Sequence, residues 1–217
     1  MCIRDRCDVD HDYSGHILAG YPKAKKYTDF REMIDKEKEI DAVLIGTPDH
    51  THAVIAAYAM KAGKHVFVEK PMAKTIYETR FLRDLAKQTG VVTQMGNQGH
   101  NIEGTMQTVE WIQGGVIGDV KEVHLWTNRP MWRQGYFDRP AGVDIPSNLN
   151  YDVWLGPAPD KPYNPEMLHF AWRGLWDYGT GAMGDMGAHT FDAPIWALNL
   201  GMPTKIPVSY THLRAHE

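Results

Sequence analysis

Three short apolar runs, separated by two helical stretches that each end in glycine, constrain this chain more than any other feature. Asp41–Ala42–Val43–Leu44–Ile45–Gly46 is continuously apolar after its first residue, the pattern of a strand covered on both faces. Thr47–Pro48–Asp49–His50 breaks it, and His52 to Ala62 reads as a helix closed by Gly63, since a left-handed residue commonly ends a helix at that position. His65–Val68 is the next strand, Thr75 to Thr89 the next helix, closed by Gly90, and Val91–Met95 the third strand. Strands joined by whole helices cannot pair as hairpins, so this alternation predicts a parallel sheet with right-handed crossovers.

The flanking sequence extends the pattern on one side and changes it on the other. Upstream, Cys7–Asp8–Val9–Asp10 reads as a strand tail, Tyr13 to Gly20 as a short helix and Lys25–Tyr27 as a short strand. Asp29 caps a helix running to about Glu37, with Phe30, Met33 and Ile34 on one face. Downstream of Met95, Gly96–Asn97–Gln98–Gly99–His100 is a turn and Ile102 to Gln113 a helix. Val120 to Trp126 alternates as a half-covered strand does. Residues 129 to 166, rich in proline, glycine and aromatics, read as a long ordered excursion. Gly184–Asp185 opens a last helix to about Leu200, stopped by Gly201 and Pro203.

Composition narrows the function classes. The 217 residues, 43% hydrophobic, can bury one good core or two small ones. A formal charge of −4 gives no basic surface for nucleic acid or an anionic membrane, and no apolar run approaches the roughly 20 residues of a membrane span. Cys2 and Cys7 are the only cysteines and are too close in sequence to staple a fold. Gly179–Thr180–Gly181–Ala182–Met183–Gly184 matches a dinucleotide-loop spacing by letter. It lacks the apolar strand before it and the acid about twenty residues after it that such a loop requires, so it is read as a decoy.

Glu69–Lys70–Pro71 stands at the C-terminal end of a predicted central strand, the edge where open parallel sheets bind ligands. Asp185 and His189 are four apart near the start of a helix and project from one face. Imidazole titrates near working pH and suits a general base, and an ammonium can stabilise alkoxide character on a reacting oxygen. Each residue also has an ordinary structural reading. Asp185 after glycine is a plausible helix N-cap, His50 a helix cap, His52 a cleft or surface residue. His100 and Asn97 sit on a strand-end turn that could line the same cleft. Arg173, between Trp172 and Trp176, is either a substrate-hydroxyl ligand or a cation–π spacer.

Read together, Cys7–Asp8–Val9–Asp10, Thr47–Pro48–Asp49–His50–Thr51–His52, Glu69–Lys70–Pro71, and Gly184–Asp185 through His189 and Asp192 resemble, in order, the motifs of the Gfo/Idh/MocA family of nicotinamide-dependent oxidoreductases. The resemblance implies an α/β fold, a truncated Rossmann-type parallel sheet followed by part of an α+β substrate domain. It implies that Lys70, Asp185 and His189 are catalytic. Asp8, Thr47, Pro48, His52, Glu69, Lys70, Pro71 and Asn97 would bind cofactor, and His100, Arg173, Asp185 and His189 would bind substrate. Asp49 stands where the family commonly has asparagine. The implied cofactor is NAD or NADP, with NAD favoured because Asp8 would repel a 2′-phosphate. The implied partner is a small sugar, polyol or glycoside, with no metal, nucleic acid or membrane, and a homo-oligomer is expected of the complete protein.

Residues 1–6 and 207–217 resemble translated adapter sequence and are set aside, leaving a dinucleotide-binding domain over 7–98 and a partial substrate domain over 99–206. The first strand and glycine-rich loop of the nucleotide fold are then expected upstream of Cys7, and the chain alone is expected to bind cofactor poorly. Three other readings compete with hydroxyl oxidation. One is redox-assisted glycoside cleavage by the same residues, and another a sugar- or dinucleotide-binding module without turnover. The third is a metal-dependent hydrolase or isomerase using His50, His52, His100, Asp185 and His189.

Overall fold

The computed structural model describes residues 5–133 and 140–207. The tail at 208–217 and the first four residues therefore lie outside the described residues. Two parallel sheets carry the first half. Strand β1 (Asp5–Cys7) pairs with β2 (Lys25–Tyr27), and β3 (Ala42–Ile45), β4 (His65–Glu69) and β5 (Thr93–Gly96) form a second sheet in that order. β1 starts at Asp5, two residues inside the segment set aside on sequence grounds.

The helices form where the sequence signals place them. α1 (Gly15–Ala19) is a single short turn that buries Leu18, and α2 (Phe30–Lys36) starts at Asp29, whose carboxylate accepts the Arg31 backbone N–H at 2.8 Å. α4 (Ile76–Thr89) begins with a reciprocal capping box between Thr75 and Glu78 and ends at Gly90 in the left-handed conformation. α3 (Asp49–Lys61) starts directly after Pro48, three residues earlier than the sequence reading, because Pro48 needs no backbone donor at a helix entrance.

One face of the three-stranded sheet holds the main core. Val43 pairs with Val66 and Ile45 with Val68, and these side chains pack with Ile55, Ala56, Ala59 and Met60 of α3 and with Leu82 and Leu85 of α4. The expectation that Asp41–Gly46 is covered on both faces is wrong. Ala42 and Leu44 face outward, Leu44 with 63% of its surface exposed. β3 is an edge strand here, so a continuous apolar run leaves half its side chains uncovered.

The second half is built differently. After a 3₁₀ turn over Gln98–Asn101 come α5 (Glu103–Gln113) and a long extended passage. Val120 to Trp126 forms no strand, and Val123, Leu125 and Trp126 are exposed. Alternation alone cannot make a strand without a neighbour to take its hydrogen bonds. The excursion over 129–166 contains α6 (Tyr151–Leu155), whose Tyr151, Trp154 and Leu155 pack with Tyr163, Met167, Trp172 and the fully buried Tyr178 in a second, aromatic core.

The last helix is two. α7 (Gly181–Thr190) and α8 (Asp192–Ala197) meet at Phe191. Pro194 has no N–H to give the Thr190 carbonyl, so the ladder breaks there. The glycine-rich decoy is the entry to α7. Gly184 lies so close to Thr180 that an added Cβ would come within 2.2 Å of that side chain, a packing role in place of a phosphate loop.

His50 ties the two cores together. Its ring is 2% exposed, Nε2 donates to the Trp154 carbonyl at 2.8 Å, and its backbone N–H donates to the Tyr178 carbonyl at 3.1 Å. Burial pushes its pKa down to about 4. A histidine held neutral in the fold contributes stability that is complete above the unfolded value near 6.5 and is lost as the pH falls toward 4. We predict a loss of about 3 kcal/mol from this group across that window. Urea unfolding at pH 7 and pH 4 should show that His50→Gln, which retains a donor for Trp154, loses less on acidification than the parent.

Candidate active site

The candidate site lies where the strand ends of the three-stranded sheet meet α7. β4 ends at Glu69, and the next residue, Lys70, extends to α7, where its ammonium donates to Asp185 Oδ1 at 2.5 Å and to the Asp185 backbone carbonyl at 3.0 Å. Both side chains are largely buried, at 17% and 11% exposure, so the pair is weakly screened. Asp185 sits one turn into α7 and is not its N-cap, a position held by Thr180. Glu69 lies over β5, its carboxylate so close to Gly96 that a Cβ there would come within 2.8 Å of Oε1.

His189, one turn beyond Asp185, has Nδ1 3.2 Å from Asn97 Oδ1. The Asn97 amide is oriented by its other end, where Nδ2 donates to the Ala188 carbonyl at 3.0 Å. With the amide oxygen facing Nδ1, the ring carries its proton there and presents an unprotonated Nε2. Among the described residues Nε2 has no hydrogen-bond partner. Partial burial, and next the Lys70 charge, hold the imidazole below its ordinary pKa, with Asp185 acting in the opposite direction. The result is a neutral ring with a free lone pair beside an ammonium.

Lys70, Asp185 and His189 share a cavity of about 570 Å³ with Arg129, Phe170, Arg173 and Asp192, a size that suits a small-molecule ligand. The other expected residues are placed as follows. Asn97 contacts His189 and holds it, and His100 is outside the cavity lining. The His100 Nδ1 is 2.9 Å from Asp192 Oδ2 and its ring stacks on Trp196 at 4.3 Å. Arg173 stacks on Trp172 and Phe170, at 4.3 and 4.7 Å, and not on Trp176, which is exposed.

His52 is neither a surface residue nor an open cleft residue. At 1% exposure, its Nδ1 lies 2.7 Å from the Pro71 carbonyl and its Nε2 2.7 Å from the Thr47 carbonyl. It therefore ties together the loops after β3 and β4. Asp49, the departure noted in the sequence, accepts the Thr180 N–H at 3.0 Å and the Thr180 hydroxyl at 2.7 Å, anchoring the entry of α7. Burial raises its pKa, against the hydrogen bonds from Thr180. Because His50 and His52 are turned to backbone carbonyls, the five-residue ligand set of the metal reading does not converge. Among the described residues no three histidine, cysteine or acidic groups could hold a metal ion.

Sequence reasoning missed Arg129, Phe170 and Asp49's anchoring of α7. The Arg129–Pro130 step beside Trp132 was the available sign for the first. The anchoring joins residues 131 positions apart and had no local signal.

A family model described as the oxidoreductase family, NAD-binding Rossmann fold, matches residues 10–97, and one described as its C-terminal alpha/beta domain matches residues 123–212. Together with the parallel sheets, these matches define the class of the chain as an NAD-binding Rossmann fold followed by the C-terminal alpha/beta domain that accompanies it. It belongs to the Gfo/Idh/MocA family.

Among its relatives, 1-carboxy-3-chloro-3,4-dihydroxycyclo hexa-1,5-diene dehydrogenase from Comamonas testosteroni is 35% identical over 54% of this chain and 29% of its own length. Levoglucosan dehydrogenase from Pseudarthrobacter phenanthrenivorans is 34% identical over 43% of this chain and 24% of its own. The crystal structure of myo-inositol 2-dehydrogenase from Lactobacillus plantarum aligns with a TM-score of 0.52 at 26% identity, over 55% of this chain and 35% of that one. The chain thus matches about a third or less of the length of each relative.

The strand-end residues fit a dinucleotide. Within each parallel sheet the C-terminal strand ends share an edge: Thr47–Pro48, Glu69–Lys70–Pro71 and Asn97 stand at that edge of the β3–β4–β5 sheet, and Asp8 at that edge of the separate β1–β2 sheet. Asp8 uses Oδ1 to accept the Asp10 N–H at 2.9 Å, and burial raises its pKa. Its second oxygen has no hydrogen bond among the described residues, which suits acceptance from a ribose hydroxyl.

We predict that nitrogen-15 NMR of histidine-labelled protein will find His189 protonated on Nδ1 and titrating below the ordinary histidine value near 6.5. Lys70→Met should move that midpoint upward, because it removes a cation and leaves Asp185 uncompensated. Asn97→Leu should mix the two tautomers. A midpoint unmoved by Lys70→Met would rule out the electrostatic coupling.

Proposed function

We propose that the protein carrying this chain oxidises a secondary hydroxyl of a small cyclic polyol or sugar, with NAD as the hydride acceptor. The observation that carries the reading is the convergence of Lys70, Asp185 and His189 on one cavity, with Asn97 fixing the histidine. The three relatives, named for cyclic hydroxylated compounds, support a ring-shaped substrate. Asp8 supports NAD over NADP, since a carboxylate would repel a 2′-phosphate.

Each side chain then has a definite task. His189 Nε2 removes the hydroxyl proton. The Lys70 ammonium has three N–H donors, of which two are engaged by Asp185, so the third remains for the substrate oxygen. That hydrogen bond strengthens as the oxygen gains alkoxide character. Asp185 aims Lys70 and balances its charge. Thr47–Pro48 and Glu69–Pro71 shape the cofactor edge, held by His52. A bound nicotinamide supplies the hydride acceptor. The proton on His189 then faces the Lys70 charge, which favours its release to solvent.

Lys70→Met should lower kcat by about 100-fold or more while the circular dichroism spectrum is retained. The test is NADH formation from a panel of cyclitols and aldoses with the parent and variant proteins. Parent-like turnover in the folded variant would sink the assignment.

A further inference from the structure

The charges facing the cavity do not cancel. Three cations, Lys70, Arg129 and Arg173, face two carboxylates, Asp185 and Asp192. Asp185 is taken by Lys70 and Asp192 by His100. Among the described residues neither arginine has a carboxylate partner. Arg173 Nη1 donates to the Phe170 carbonyl at 3.2 Å. Among the described residues Arg129 Nε is buried with no acceptor, and the indole N–H of Trp132, a residue 7% exposed, is in the same state. Buried donors in native proteins have partners, so unpaired donors beside two guanidinium groups mark a place that lacks an acceptor.

The arrangement is built into the backbone. Both guanidinium carbons lie near the Trp132 ring, at 5.6 Å for Arg129 and 6.0 Å for Arg173. Gly174 permits this, since a Cβ there would stand 1.9 Å from the Arg133 carbonyl oxygen, so the 129–133 segment packs backbone to backbone on Arg173–Gly174. Gly179 closes on the Arg173 backbone from another side, where a Cβ would come within 2.3 Å of its carbonyl. Phe170, half exposed beside Arg173 at 4.7 Å, offers an apolar wall for a ring.

We propose that the substrate carries a fixed anionic group, a carboxylate or phosphate on its hydroxylated ring, and that Arg129 and Arg173 bind it. This rests on the hydroxyl-oxidation reading and adds the substrate's charge. A planar guanidinium matches a carboxylate or phosphate in two parallel hydrogen bonds, and stacking on Trp172 and Phe170 holds the Arg173 plane in place. With the anion held at the arginines, the ring lies along Phe170 and one of its hydroxyls is presented to Lys70 and His189.

The test is equilibrium binding, read by tryptophan fluorescence without cofactor or turnover. Matched sets of glucose, glucuronate and glucose 6-phosphate, and of galactose, galacturonate and galactose 6-phosphate, are titrated into the 217-residue chain. At least one anionic member should bind about tenfold or more tightly than its neutral parent, and whether the uronate or the phosphate shows it identifies the group. The preference should shrink in high salt and disappear in the Arg129→Gln/Arg173→Gln double variant. The salt series on the unaltered chain stands on its own if the double variant does not fold. Equal or tighter binding of the neutral sugars, or an anion preference insensitive to both salt and the double variant, overturns the anionic assignment and leaves hydroxyl oxidation standing. Binding of none of the compounds overturns the anionic assignment too, and turnover by Lys70-intact protein on neutral cyclitols then decides the broader reading separately.

Discussion

The first turn of α3 is the constraint on which the rest of the structure depends. Asp49, His50, Thr51 and His52 are all buried, and each is polar. Burying a polar group is costly unless it is hydrogen-bonded; His50 Nδ1 is left without a partner among the described residues, and the other bonds of this turn run in several directions. Asp49 takes the entry of α7, His50 takes a carbonyl of α6, and His52 takes carbonyls from the loops after β3 and β4. One helical turn thereby fixes the strand ends of the sheet relative to the helix that carries Asp185 and His189. The Lys70–Asp185 pair can be short because its two ends are held by this turn.

The chemistry follows from that placement in a way that composition alone could not supply. In the proposed reaction Lys70 has two effects, and they work together. After partial burial, its charge is what holds His189 neutral, and in the proposed reaction its remaining N–H would stabilise negative charge on the oxygen that loses the proton. Asp185 moderates the first effect, since a carboxylate one turn away raises the histidine's affinity for protons. Asn97 acts on the same ring through a neutral amide, which selects a tautomer without adding charge. The state of the His189 ring is thus set by burial and by three neighbours of different charge on three different elements.

Much of this was legible in the sequence, for identifiable reasons. Capping residues, closing glycines and the β/α alternation are local signals, so α2 through α5 and the three-stranded sheet could be read from them. Lys70, Asp185 and His189 were legible because a proline-fixed strand end and an i,i+4 helix pair are also local. What failed was context. Asp41–Gly46 reads as doubly covered because apolar runs do not reveal which strand is at an edge, and Val120–Trp126 reads as a strand because alternation does not reveal whether a partner exists. The single last helix was divided by Pro194, which was visible but given too little weight. His52 reads from sequence as a cofactor residue, yet its buried ring faces the Pro71 and Thr47 carbonyls and ties together the loops after β3 and β4.

The decoy at Gly179–Gly184 shows how one composition can serve opposite ends. A phosphate loop uses glycine so that backbone N–H groups can approach an anion. Here Gly179 and Gly184 let protein approach protein, Arg173 in one case and Thr180 in the other, while Gly181 takes a positive φ of 63° to start the helix. The crowding has a consequence for the cavity. The Arg173 backbone is packed against Gly179, and the next residue, Gly174, is packed against the Arg133 carbonyl, so its charge is presented on a rigid support. A flexible arginine would lose side-chain freedom on binding an anion, whereas one already stacked and packed has lost most of it on folding. Of the glycines that look like a nucleotide signature, Gly179 thus supports the arginine side of the cavity, where close packing makes a fixed positive charge possible.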